Sequence, residues 1–245
     1  MAKAPRSGAV KTRLVPPLSG DEAALLSICF LKDIAENFAL VAEQVPAHGL
    51  VAYTPPGTEA IFRELLPGSI GLLPSRRIGL GLSLFDAAAD LLGAGYSAAC
   101  LVNADSPTLP TSTLLDAAAA LHAPGDRVVL GPAIDGGYYL IGLKHPHAAL
   151  FEDIAWSTER VFRQTVERAM SLGLPVVTLP TWYDVDDEPS LGWLCQELLA
   201  GRRPSEFTSM GYGAPHTAAY LRELVAAARI SRLALGKALD ERVLP

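Results

Sequence analysis

Residues 97–122, SAACLVNADSPTLPTSTLLDAAAALH, decide the fold. An apolar run of strand length, 97–103, ends in an acidic turn that contains Asp105, Ser106 and Pro107, and residues 112–122 then place their apolar positions at helical spacing. A strand that feeds a turn and then a helix is the repeating unit of a sheet wrapped by helices. The same alternation runs outward in both directions.

Upstream, residues 21–43 are spaced as a helix with Ser19 or Asp21 as its cap, 49–54 (GLVAYT) and 70–73 (IGLL) are strand-like, and 58–66 and 82–92 are helical, the latter ending at Gly93 and Gly95. Downstream come strands at 127–133 and 138–143, a helix at 158–172, a strand at 175–180, the acidic turn YDVDDEPS and a helix at 190–200. Only the turn Ile134-Asp135-Gly136-Gly137 separates the strands at 127–133 and 138–143, which predicts a hairpin or a bent pair, an antiparallel interruption in an otherwise parallel sheet. Residues 215–240 are expected to form two outer helices. The expected fold is α/β, a three-layer sandwich with a mixed, mostly parallel sheet.

The chain has 245 residues, half of them apolar, and a net charge of −6. That length suits a single α/β domain. The acidic balance argues against nucleic acid or an anionic membrane as partner, since both select for a basic field. Cys29, Cys100 and Cys195 are odd in number and widely spaced within apolar segments, the pattern of reduced, buried thiols. With no apolar run near the ~20 residues of a membrane span and no secretory leader pattern, the expected location is the cytoplasm.

In such sheets ligands sit at the carboxyl ends of the strands. Three loops there carry charge. The first, residues 3–13, gathers Lys3, Arg6, Lys11 and Arg13 around Gly8, ahead of a helix whose N-terminal end would favour an anion. Arginine grips two phosphate oxygens and lysine supplies a mobile point charge, so the set suits a polyphosphate. The second loop holds Asp105, a suitable Mg²⁺ ligand. The third crowds Asp184, Asp186 and Asp187, which repel one another unless solvated or neutralised by a cation; Asp187 or Glu188 serves equally well as a cap of the next helix. Ser157 or Thr158 is expected to cap the helix that follows, and Trp156 to belong to the core. There is no Walker loop, nucleophile elbow or G-x-G-x-x-G fingerprint.

Taken in order, KAPRSGAVKTRL (3–14), NADSPTLP (103–110), DGGYYLIGL (135–143), WST (156–158) and DVDD (184–187) strongly resemble the bacterial DUF2064 group of cofC-like transferases, labelled glycosyltransferases and related to the nucleotide-diphospho-sugar transferases of GT-A fold. The resemblance implies one GT-A-like domain over 1–204 with a C-terminal helical extension, 205–245, packed on it. It implies that Lys3, Gly8, Lys11, Thr12 and Arg13 form the nucleotide-phosphate loop, that Asp105 and Asp186 bind Mg²⁺ (or Mn²⁺), and that Lys11 and Arg13 act on the leaving group with Asp135 as the acceptor's base. The partners it implies are a nucleotide or nucleotide-sugar and a small-molecule acceptor. The KTRL element is also similar to the KSRL of 2-phospho-lactate guanylyltransferases, which keeps nucleotidyl transfer as an alternative. A degenerate, non-catalytic nucleotide binder is the third.

Two departures bear on these expectations. Family members have a buried apolar strand before the KAP element, whereas only Met1 and Ala2 precede Lys3 here, so the expectation is a misassigned or truncated start, or an incomplete sheet with a poorly held loop. At 82–84 this sequence has Leu-Ser-Leu where the family has an acid and an arginine after a Leu-Gly pair.

Overall fold

The computed structural model describes residues 1–202, 207 and 209–230. Strands β1 (Ala2–Lys3), β2 (Leu50–Thr54) and β3 (Gly71–Pro74) form a parallel sheet in the order β1-β2-β3. Strands β4 (Ala99–Val102), β5 (Val128–Pro132), β6 (Tyr138–Leu143) and β7 (Val176–Thr178) form a second sheet, β4-β6-β5-β7. The expected hairpin is present. β6 runs antiparallel between β4 and β5, and β7 is parallel to β5.

The mixed sheet is thus divided into two segments. They meet where the Met1 nitrogen donates to the Val102 carbonyl at 2.9 Å. β1 is two residues long and pairs with β2. The loop behind it is nevertheless anchored: Ala2 and Lys3 pair with Tyr53 and Thr54, and the Ala4 amide donates to Thr54 at 2.8 Å.

Alternation along the strands fixes the layers. Leu101, Val128, Leu130, Ile141 and Leu143 pack on α3 (Leu80–Gly93) and α5 (Val161–Ser171), while Val102, Val129 and Leu140 face α1 (Gly20–Ala42), α4 (Thr111–His122), α6 (Glu188–Ala200) and α7 (Pro215–Ala226). α2 (Glu59–Leu65) covers the three-stranded segment through Phe62, which meets Tyr53. Helices on both faces of the strands complete the sandwich.

Local chemistry sets the helix ends. Ser19 and Glu22 close a capping box on α1, and Asp187 and Ser190 do so on α6, so Asp187 acts as the cap. α5 begins later than expected, with Arg160 at its cap position. Thr158 donates its hydroxyl to the Ala155 carbonyl instead, and Ser157 does not cap. α7 is the first of the two outer helices expected; the second falls on residues outside those described. All three cysteines are free, but Cys195 alone is buried, Cys29 being half-buried and Cys100 exposed, which corrects the expectation of three buried thiols. Among the described residues no helix is long and apolar enough to cross a membrane.

Candidate active site

The first loop leaves β1 and turns back over α1. Gly8 takes φ +68°, and a Cβ on Gly20 would lie 2.8 Å from Ser7 Oγ, so the bare first residue of α1 is what lets the loop lie against the helix. Lys11, at φ +49°, is left-handed without being glycine, a conformation disfavoured for a long side chain. It reverses the chain into a single 3-10 turn, Thr12–Leu14, whose Leu14 is fully buried and fastens the loop to the core. The α1 terminus itself is less available than its position suggests. Ser19 and Glu22 satisfy each other's amides there, and Asp21 and Glu22 already oppose the positive end of the helix.

The acidic turns come from the other segment. Asp105 lies beyond β4, and Asp184 and Asp186 beyond β7, yet the two turns are tied directly because the Val185 amide donates to the Asp105 carbonyl at 2.9 Å. Ser190 Oγ then receives the Asp186 amide at 3.0 Å, which orients that residue from the first turn of α6.

Between the loops lies a cleft of about 270 Å³ lined by Lys3, Lys11, Thr12, Arg13, Asp105 and Asp186. Six of the expected site residues therefore meet in one place. Lys11 reaches across it. Its Nζ donates to the Val185 carbonyl at 2.8 Å and to Asp186 Oδ1 at 3.1 Å, pairs with Asp105, and lies 5.3 Å from the centre of the Phe30 ring. Its side chain is 5% exposed, against 70% for Arg13, which pairs with Asp186 Oδ2 at 2.5 Å. Gly8 stands on the exposed bend of the loop rather than in the lining.

Asp184, expected in the acidic turn without a role of its own, completes the negative side. Burial, and then the charges of Asp135, Asp186 and Asp105, push its carboxyl up to about 7. Asp135 belongs to the same field but stands exposed at its edge, with Oδ1 accepting from the Gly137 amide at 2.8 Å. The turn that carries it is pressed beneath the 156–160 segment. A Cβ on Gly136 would sit 2.3 Å from the Glu159 carbonyl oxygen, and the Phe162 amide donates to Gly136 at 2.9 Å. Trp156 is half-buried in the core, edge-on to Tyr138 and over Gly81 of α3.

Carboxylates are the hard oxygen donors that Mg²⁺ and Mn²⁺ prefer. Asp105 and Asp186 are donors of that kind, and Lys11 and Arg13 already pair with them. A grouping of three potential metal ligands among the described residues lies elsewhere, at Asp33, Glu36 and His216, and is already committed: Asp33 accepts from the His216 and Thr217 amides and so caps α7, and Glu36 pairs with the His216 ring at 2.7 Å.

A parallel sheet segment beside a mixed one, sandwiched by helices and carrying its charged loops at the strand ends, is the architecture of the nucleotide-diphospho-sugar transferases. A candidate nucleotide-diphospho-sugar transferase from Desulfovibrio desulfuricans G20 superposes with a TM-score of 0.77 at 30% identity, over 93% of this chain and 94% of that one. Residues 38–158 match the model of DUF2064, described as an uncharacterized protein conserved in bacteria, and the chain belongs to this family. A more distant likeness, TM-score 0.41 at 17% identity over 86% of this chain and 77% of the other, is to the mannosyltransferase PcManGT from Pyrobaculum calidifontis in complex with GDP-Man and Mn²⁺. No curated protein matches.

Proposed function

We propose that the chain is a divalent-metal-dependent glycosyltransferase that takes a nucleoside diphosphate sugar as donor. The observation that carries this reading is the meeting of one cationic loop with two acidic turns, joined by the Val185–Asp105 hydrogen bond and lined up along one cleft. A diphosphate needs both a cation on acidic ligands and cationic side chains of its own. Few other ligands need the two together.

Lys3, Thr12 and Arg13, with the backbone around Gly8, hold the diphosphate, and Asp105 and Asp186 hold the metal with Asp184 beside them. A bound Mg²⁺ or Mn²⁺ offsets the negative charge that grows on the departing diphosphate. Arg13 and Lys11 supply further positive charge to the same oxygens. The acceptor hydroxyl attacks the anomeric carbon, the bond from that carbon to the diphosphate oxygen breaks, and the hydroxyl proton passes to Asp135. The hydrogen bond from the Gly137 amide fixes that carboxylate at the rim.

The KTRL element supports a second reading, nucleotidyl transfer to a small phosphorylated acceptor, in which the same groups act on departing pyrophosphate. One assay separates the two. The chain is incubated with nucleoside diphosphate sugars and with nucleoside triphosphates, each with Mg²⁺ or Mn²⁺. Release of nucleoside diphosphate from the sugar donors is expected, and pyrophosphate release from triphosphates would transfer the assignment to the second reading. Asp105→Ala is expected to lower turnover by roughly 10²-fold or more, the scale on which loss of transition-state charge stabilisation acts. Nucleotide binding with no turnover under any condition would leave a degenerate binder.

A further inference from the structure

An ammonium group has three protons to donate. In this structure Lys11 has three acceptors, Asp105, Asp186 and the Val185 carbonyl, and its buried amine lies over the Phe30 ring. Nothing is left over for a phosphate. The same amine neutralises the two carboxylates assigned above to the metal. A divalent cation cannot take up those oxygens while a lysine ammonium touches both, because like charges at contact distance repel.

We infer that Lys11 competes directly with the metal for Asp105 and Asp186, so that metal entry requires its amine to leave both carboxylates. This rests on the reading of those two aspartates as metal ligands. Lysine is well suited to such a role, being a compact charge on a flexible stem that can swing from carboxylate to phosphate without losing hydrogen-bond partners. The consequence is a binding order. The metal alone meets an occupied site, whereas a diphosphate that arrives with the metal offers Lys11 a new partner as it withdraws. Arg13 differs in kind. It is exposed, touches Asp186 alone of the pair, and leaves the other carboxylate open.

The test is a calorimetric titration of Mn²⁺ into the nucleotide-free protein. Lys11→Met removes the amine and keeps an apolar stem beside Phe30, and Arg13→Met removes one charge from the same cleft without vacating the shared position. The expected result is Mn²⁺ binding at least tenfold tighter in Lys11→Met than in wild type, with Arg13→Met within threefold of wild type. Equal affinity in wild type and Lys11→Met, or equal gains in both variants, would overturn the competition while leaving the metal site standing. If Lys11→Met binds no Mn²⁺ at all, the competition and the metal reading fall together.

A second measurement on unaltered protein guards against a variant that does not fold. Reductive methylation of lysines, read by peptide mass, should find Lys11 protected without metal and modified several-fold faster in saturating Mg²⁺, because the displaced amine becomes accessible. A methylation rate unchanged by Mg²⁺ would overturn the proposal.

Discussion

The two sheet segments contribute opposite charges to one cleft and are built very differently. The four-stranded segment brings the acidic turns, and Val128, Val129, Leu130, Ile141 and Leu143 in it are fully buried. The three-stranded segment brings the cationic loop, yet β1 has two residues and β3 is only partly covered. The acidic turns thus stand on the well-packed side. The lysine that pairs with them stands on the thinner one, attached through Leu14 and the ladder to β2.

Stability should expose this contrast most sharply in the core. Ile141 lies between Leu101 on β4 and Leu130 on β5, so Ile141→Ala should cost about 3–5 kcal/mol in a denaturant melt. Leu72 on β3 is half-buried, and Leu72→Ala should cost about 1 kcal/mol. Equal losses would break the comparison.

A smaller effect concerns the charge stored on the acidic side. Because the Asp184 carboxyl is raised to about 7 in the folded protein, the native state keeps a proton that the unfolded chain releases near its ordinary value. Stability from this group is therefore greatest at low pH and is lost as pH rises from about 4 to about 7. In chelator, Asp184→Asn should raise stability at pH 8 by about 2–4 kcal/mol and leave it unchanged near pH 4. Urea midpoints at the two pH values would show it, and a gain of the same size at both would separate Asp184 from the field of Asp135, Asp186 and Asp105.

The smallest effect sharpens the picture of the cationic side. Ser19→Ala opens the capping box beneath the loop and should cost about 1 kcal/mol, with faster hydrogen exchange confined to the start of α1. Exchange that accelerated across β4 to β7 as well would mean that the two segments open together rather than separately.

Much of this arrangement is legible in the chain because its signals are local. The alternation in β5 and β6 with the Asp-Gly-Gly turn between them marks the hairpin, and Asp187 three residues before Ser190 marks the cap of α6. The clustering of Lys3, Lys11, Thr12 and Arg13 with Asp105 and Asp186 follows once strand ends are placed on one edge. Features that depend on distant partners are not legible in this way. The position of Lys11 is set by Val185 and Asp186 on the far side of the sequence, and the start of α7 is capped by Asp33 of α1 rather than by a neighbour. The start of α1 offers an anion less than expected for a different reason: Ser19 and Glu22 spell a capping box that closes it.

Trp156 gives the molecule an optical consequence. Its indole lies over Gly81 and edge-on to Tyr138, on the segment that presses the Asp135 turn into place, whereas Trp182 is buried away from solvent. A shift of that turn would alter the surroundings of Trp156 and also of Trp182, whose carbonyl accepts from the Ile134 amide at 3.1 Å. The protein thus carries built-in emission probes beside the Asp135 turn, which need no label and can be followed on the timescale of mixing.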